Sequence, residues 1–416
     1  MPPIHPGDRV DVRVGDTADS AAVRALIADL GGTLAQNGHA DVMVVDEWTP
    51  EHDAHVSAMR SRGGRVTTLA ELIIAGHRGQ WIAVTGTAGK SSTCHALAHI
   101  LTAGGRPVRM SRTARSANAW PDWSLVDDAA PPDAVLIAEL TSSHLCHMHT
   151  SLTPDVAVIT LIRDDHPDLH PTPDAYVAAK ARLLPPAGKP RAIVLPGDDP
   201  STLDAIPNAP SPDYVFGRDL GERPGASMAA GGRVTLRGHN DHADAQIADD
   251  TSTAARAALA AAAAALALGL PAGAVASSLE TVDASPHRQR EVGLFRDARV
   301  VDDTLAATPR KVLAAVARYV DQQPVLVMGG DPCAHPPGDV EHTVARITGA
   351  GLRVVVFGPM GDAIAPALHA IGAAPTVMGA LGIAATAAGA GGLVVVSPMF
   401  AMQPAERERV AALPSG

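Results

Sequence analysis

The sequence predicts an α/β protein made of three successive units, each a mainly parallel sheet flanked by helices. Three observations carry that expectation. Short β-branched runs alternate with helical segments along the chain, the pattern of parallel α/β sheets. The 416 residues suffice for two or three domains of roughly 100–200 residues each. Between one strand run and one helical run stands a glycine-rich turn, VTGTAGKSS (84–92), where a phosphate-binding loop would lie.

In the first unit, residues 1–79, the runs VDVRV (around 11–14), VMVVD (42–46) and RVTT (65–68) read as strands. Ser20–Leu30 and Glu51–Arg62 read as helices, and Gly31-Gly32 closes the first of them as a C-terminal cap would. The result is a Rossmann-like βαβαβα unit. The second unit, 80–290, has strands at WIAVTG (81–86), AVLIAEL (134–140), DVAVITLI (155–162) and AIVLPG (192–197). Its polar stretch 217–252 predicts hairpins and loops, and a helix from Thr253 to Leu268 stops at Gly269-Leu270-Pro271. The third unit, 291–416, repeats the Rossmann-like pattern with strands at ARVVDD (298–303), PVLVMGG (324–330), LRVVVFG (352–358) and GLVVVSP (392–398). No internal repeat is evident.

Composition narrows the function classes. With 46% apolar and 19% charged residues, the chain is neither a disordered tail nor a fibre. Against 44 Asp and Glu stand 33 Lys and Arg, a net charge of −11 with no basic block. That argues against nucleic acid as a partner, because phosphate neutralisation needs clustered cations. Only four of the cations are lysine (Lys90, Lys180, Lys189, Lys311), so each is worth a question. The start, MPPIHPGDRVDVRV, lacks the apolar core of a signal peptide, and the apolar run Ala257–Leu268 is too short to span a bilayer. Cys94, Cys146 and Cys333 are too few and too scattered for a disulfide framework. The expectation is a soluble, cytoplasmic protein with no membrane partner.

Three pieces carry chemistry. In the turn, the backbone of Gly86, Thr87, Ala88 and Gly89 can wrap an anion, with the helix N-terminus behind it. Lys90 supplies a point charge to the β- and γ-phosphates, and Ser91 or Ser92 a hydroxyl for Mg²⁺. Val84 stands where the strict phosphate-loop pattern has its first glycine. The second piece is Glu139, at the carboxyl end of a strand, where a carboxylate can ligate the same Mg²⁺. The third is Asp164-Asp165-His166, again at a strand end, followed by Tyr176 and Ala178-Ala179-Lys180.

Together these pieces resemble the Mur ligase superfamily, and within it the glutamate-adding branch. The family's phosphate loop is similar to TGTAGKSS, its glutamate–serine–serine stretch to Glu139-Leu-Thr-Ser-Ser, and its aspartate–histidine element to Asp165-His166. Pro286-His287-Arg288, Asp302-Asp303-Thr304, Val327–Asp331 and Val395–Pro398 resemble its later signatures, in order, so that the likeness spans roughly residues 80 to 400. The resemblance implies a three-domain Mur ligase-like architecture with a central P-loop ATPase sheet. It implies ATP and Mg²⁺ as cofactors, with Lys90 on the phosphates and Ser91 and Glu139 on one metal. His166 and a Lys180 carbamylated by CO₂ would hold a second metal, a role closed to arginine because it stays protonated. Arg288 would reach the ATP phosphates, Asp303 the ribose, and Asn118 the reacting carboxylate. The layout of the first unit is also similar to a BRCT module, from which no phosphopeptide site is assigned.

The departures are as informative. VGDTADS (14–20) stands where a glycine-rich turn would bind a nucleotide-sugar. Leu305, Ala307 and Cys333 stand where the family has lysine, threonine and lysine, and Thr253-Ala254 where it has histidine–asparagine. Lys311 reads as a helix-surface residue. HLCHMH (144–149) resembles soft-metal chemistry, but its ligands are too closely spaced for a tetrahedral site. His95 and His99, one turn apart, read as a partly buried helix face. The resulting expectation is an ATP-dependent, ADP-forming ligase that joins a small-molecule or peptide carboxylate to an amine or amino acid through an acyl phosphate, in a specialised biosynthetic pathway. The alternatives are a wall-precursor D-glutamate ligase, or a nucleotide-binding regulatory protein with a degenerate site. The sequence leaves the oligomeric state open.

Overall fold

The computed structural model describes residues 3–13, 21–35, 39–46, 49–110, 131, 133–148, 153–167, 169–184, 190, 192–206, 211–247, 253–282, 287–333, 335 and 338–413. The chain divides into two compact units, the first running to Asp283 and the second from Ala284 to Gly416.

Two sheets build the first unit. A four-stranded parallel sheet has the order β2-β1-β3-β4, with β1 at Arg9–Arg13, β2 at Thr33–Leu34, β3 at Val42–Val45 and β4 at Arg65–Thr68. Helices Ala21–Asp29, Ala54–Ser61 and Leu69–Gly76 accompany it. Two residues of β2 are too few to leave a periodic signal in the sequence. The second helix starts later than Glu51 because Asp53 caps it, its Oδ1 accepting from the N–H groups of His55 and Val56 at 2.8 and 3.1 Å. Gly31, at φ +89°, supplies the left-handed turn after the first helix.

The second sheet has nine strands in the order β13-β12-β11-β10-β9-β8-β5-β7-β6. These are β5 Trp81–Thr85, β6 Val108–Met110, β7 Val135–Glu139, β8 Val156–Ile159, β9 Ala192–Pro196, β10 Tyr214–Arg218, β11 Gly225–Met228, β12 Arg233–Arg237 and β13 His242–Gln246. β6 to β11 are parallel, while β11, β12 and β13 form the antiparallel hairpins that the polar stretch predicts. Helices Lys90–Ala103 and Thr253–Ala267 cover one face, where Ala260 to Ala265 are fully buried. Such small side chains let the helix lie close to the sheet. On the other face Ala83, Ala138 and Ile159 share a core with Leu69, Leu72 and Val23 of the first sheet's helices.

A six-stranded sheet, β14-β15-β19-β16-β17-β18, builds the second unit. Here β14 is Arg290–Phe295, β15 Ala298–Asp302, β16 Val325–Gly329, β17 Arg353–Phe357, β18 Gly372–Ala374 and β19 Leu393–Met399. All pair in parallel except β14, an edge strand antiparallel to β15. The sequence hides β14 and β18: REVGLF is half-solvated and unpatterned, and GAA is very short. Helices Pro309–Tyr319, Asp339–Gly349, Gly358–Leu368, Val377–Ala388 and Pro404–Ala411 pack on the two faces. Among the described residues, no helix of either unit is long and apolar enough to cross a membrane.

Candidate active site

The phosphate-loop residues sit where β5 ends and helix Lys90–Ala103 begins. Gly86 and Gly89 adopt φ +147° and +87°, conformations that disfavour any side chain. A Cβ on Gly86 would lie 2.1 Å from Thr160 Oγ1, which itself donates to the carbonyl of Ala88 at 2.5 Å. Thr160, the polar end of the apolar run VAVIT, therefore sets how closely the loop hugs the sheet, a role sequence reasoning missed.

Lys90 Nζ donates to the carbonyl of Gly86 at 2.9 Å, and Lys180 Nζ donates to the same oxygen at 3.1 Å. Two of the four lysines thus converge on one acceptor. Lys180 is fully buried on helix Pro173–Ala181, with its amine 4.6 Å from the ring centre of Tyr176. Burial, and next the neighbouring charge of Lys90, hold its pKa well below the usual lysine value. Its amine is thereby biased toward the neutral, nucleophilic form.

Ser91 Oγ donates to Glu139 Oε1 at 2.9 Å, while the buried Glu139 Oε2 has no hydrogen-bond partner. A buried carboxylate oxygen without a donor demands a counter-group. Beside a serine hydroxyl at a phosphate loop, this donor set suits a hard, oxygen-seeking Mg²⁺. His166 has φ +53° after β8, its Nε2 3.7 Å from Asp165 Oδ2 and its ring 6.3 Å from that of Tyr176. Tyr176 is therefore flanked by both His166 and Lys180. Thr87 Oγ1 donates to the carbonyl of Arg163 at 2.9 Å and accepts from its N–H at 3.0 Å. Its remaining lone pair takes a hydrogen bond from the Tyr176 hydroxyl at 2.8 Å, tying loop to helix. Ser92 is half-buried beside Ser91, and Asn118 lies outside the described residues.

Beyond the loop, Arg256, the one charged residue of helix Thr253–Ala267, makes two hydrogen bonds to Asp198 at 2.7 and 3.0 Å. Its guanidinium lies 5.3 Å over the ring of Phe216. Both line a cavity of about 60 Å³ together with Ala88, Gly89 and Thr160. The lone arginine in an alanine run was the available signal for this feature.

Two histidines of the histidine-rich stretch, His144 and His147, make capping and packing contacts. His144 Nδ1 accepts from the N–H of Thr141 in a capping box, and burial holds the ring neutral with a pKa of about 3. His147 donates through Nε2 to the carbonyl of Thr49 and sits 3.2 Å from Arg60, with burial lowering its pKa to about 4. Among the described residues no group of three or more His, Cys, Asp or Glu could hold a metal. His95 and His99 are half-buried, the latter 2.9 Å from Thr281 Oγ1.

In the second unit, Asp303 is buried after β15 and accepts from Ser397 Oγ at 2.9 Å. Burial pushes its pKa up to about 7, although the Arg288 charge opposes the shift. Arg288 donates to the carbonyl of Leu305 at 3.0 Å. Leu305 and Ala307 are half-buried and Cys333 is exposed, its Sγ 3.5 Å from His335 Nε2. The strand-end segments 303–308, 329–333 and 397–403 contain no Lys or Arg. Lys311 is half-buried on helix Pro309–Tyr319.

Residues 84–267 match the family described as Mur ligase middle domain. A UDP-N-acetylmuramoylalanine–D-glutamate ligase of Frankia casuarinae is 31% identical over 381 residues, covering 86% of this chain and 76% of that one. A UDP-N-acetylmuramoyl-L-alanine–L-glutamate ligase of a Micromonospora species is 28% identical over 347 residues, covering 77% and 70%. Among solved structures, the MurF ligase of Thermotoga maritima in complex with ADP superposes with a TM-score of 0.61 at 15% identity, covering 98% and 94%.

Proposed function

This chain belongs to the Mur ligase family, and from that premise we propose how its own residues run the reaction of an ATP-dependent, ADP-forming amide ligase. A substrate carboxylate attacks the γ-phosphorus of ATP, ADP leaves, and an acyl phosphate forms. An amine then attacks the acyl carbon, and inorganic phosphate departs from the tetrahedral intermediate. Phosphoryl transfer leaves side chains little covalent work, so the protein supplies position and charge neutralisation. The loop N–H groups and Lys90 hold the phosphates, and Arg288 adds charge to them. Asp303 takes the ribose, and Asn118 acts near the reacting carboxylate. Ser91 and Glu139 would hold Mg²⁺, with His166 and a carbamylated Lys180 at a second metal; bound Mg²⁺ supplies charge neutralisation on the phosphate oxygens.

Within this reading, residues 1–79 receive the carboxylate substrate or a partner, 80–290 bind ATP and 291–416 receive the amine, in a cytoplasmic enzyme. The observation that carries it is the convergence of Lys90 and Lys180 on the Gly86 carbonyl, with Lys180 buried and biased toward neutrality. Burying an amine beside a second cation costs stability, and that cost supports a role for the pair in holding an anion and accepting CO₂.

The substrates differ from those of the glutamate ligases it is similar to. A dicarboxylate amine calls for cations, and none lies at 305, 307 or 333. This supports a repurposed ligase in a specialised biosynthetic pathway. The names of the relatives favour the second reading, D-glutamate addition to a wall precursor. A regulatory protein with a degenerate site is disfavoured by the retained Lys90, Glu139 and Lys180. A screen of carboxylate and amine pairs for phosphate release from Mg²⁺·ATP, with Lys90→Ala as the blank, tests the proposal. It expects at least one pair to stimulate release above the blank; release that no pair stimulates favours the regulatory reading.

A further inference from the structure

Arg288 is presented by an unusual piece of backbone. The residues on either side of it, His287 and Gln289, are both left-handed, at φ +59° and +48°. Non-glycine residues there carry strain that persists only where surrounding contacts over-determine it. Those contacts are visible. The His287 ring is 3% exposed, and its Nδ1 donates to Asp302 Oδ2 at 2.9 Å, with Thr304 Oγ1 3.2 Å away. Asp302, fully buried, is held in turn by the N–H and hydroxyl of Thr304 on its Oδ1, at 3.0 and 2.7 Å. The backbone is stitched too: Leu305 donates its N–H to the carbonyl of His287 at 3.2 Å, and the Tyr319 hydroxyl donates to that of Gln289 at 3.2 Å. Arg288 itself closes the loop by donating to the carbonyl of Leu305. On the far side of the imidazole, Glu408 Oε1 lies 3.7 Å from Nε2.

We propose that His287, clamped by Asp302 and Thr304, is the positioning residue of Arg288. It spends a buried, charge-assisted hydrogen bond on holding two left-handed residues, so that the guanidinium between them meets the nucleotide phosphates without first being ordered. The role rests on the ligase reading above, in which Arg288 contacts those phosphates. It makes no demand on the imidazole beyond its Nδ1–H and its backbone conformation.

Those two demands can be separated by substitution. Glycine keeps the left-handed freedom and removes the donor. Asparagine tolerates the left-handed region and places its amide nitrogen near the Nδ1 position, whereas glutamine places it nearer Nε2. The experiment is the affinity of the full chain for Mg²⁺·AMP-PNP, measured by calorimetry for wild type, R288A, H287G, H287N, H287Q and the double variant H287G/R288A. R288A and H287G are each expected to weaken binding about tenfold, the scale of one charge-assisted contact. H287N is expected to recover most of that loss relative to H287G, and H287Q not to. The double variant is expected to bind no worse than R288A, because both act through one group. H287G binding as tightly as wild type, or losses that add in the double variant, would overturn the role. If H287G does not fold, equal affinities for H287N and H287Q do the same. Wild-type chain that leaves Mg²⁺·AMP-PNP unbound overturns the ligase reading and this role together; binding that is indifferent to His287 overturns the role alone.

Discussion

At the carboxyl ends of β5, β7 and β8, two lysines meet on the carbonyl of Gly86, and the half-buried Glu139 accepts from Ser91 at 2.9 Å. At the carboxyl ends of β15, β16 and β19, the corresponding segments hold leucine, alanine, a cysteine and two aspartates, with no lysine or arginine. Both are strand-end crevices of parallel sheets, where such folds bind ligands. They differ in what an exchange would do. In the proposed reaction, lysine at the first crevice would do work arginine cannot, as a compact point charge at position 90 and an amine able to go neutral at 180. In a chain with four lysines, the placing of two of them at this crevice supports the ATP chemistry proposed for it. At the second crevice an exchange of lysine for arginine would have preserved charge, whereas Leu305 and Cys333 carry none, which supports the proposal that it receives a different amine.

The largest expected effect tests the first crevice. Lys90→Ala should lower the rate of ADP formation by roughly 10²–10³, the cost of removing one pre-placed electrostatic contact, read by steady-state assay. Loss of less than about fivefold would remove Lys90 from phosphate stabilisation. Lys180→Ala should lose about as much, and a short-chain carboxylate such as acetate should recover part of it by standing in for a carbamate. Unchanged activity in the plain variant would take Lys180 out of the mechanism.

How much of this was legible in the residues depends on separation along the chain. Gly86, Gly89, Lys90 and Ser91 lie within six positions of one another, and their meaning is local. The hydrogen bond between Thr87 and Tyr176 spans 89 positions and the clamp of His287 by Asp302 spans 15, and no periodicity announces either. Strands followed the same rule. The buried, β-branched runs VMVV, VAVI and VVVF could be read at sight, while edge strand β14 and the three residues of β18 carry too little burial to leave a pattern. HLCHMH looked like metal chemistry because ligand types are visible in a sequence, but burial and capping, which decide their use here, are not.

The contrast can also be narrowed by design. Leu305→Lys combined with Cys333→Lys restores charge to the second crevice. It should raise ATP turnover with D-glutamate by about tenfold over the parent chain, one ion-pair's worth of recognition. No gain would mean that other residues of the crevice set the amine. The smallest effect expected is a pH dependence from Asp303. Its folded pKa, about 7, lies above the ordinary carboxylate value, so the folded unit binds a proton that the unfolded chain releases. Stability of the second unit is therefore expected to fall as pH rises from about 4 to 7, and to level off above that. Asp303→Asn should flatten the curve, as read by chemical denaturation at pH 5 and pH 8; an equal slope in the variant would assign the dependence elsewhere.

The central claim is that the ATP-handling crevice was retained while the crevices for both substrates were rebuilt. ADP release from Mg²⁺·ATP in the presence of UDP-N-acetylmuramoyl-L-alanine and D-glutamate tests it most directly, with nucleotide binding checked on the same sample. The account predicts that the chain binds the nucleotide and that this pair does not raise ADP release above background. Robust turnover with this pair would contradict it.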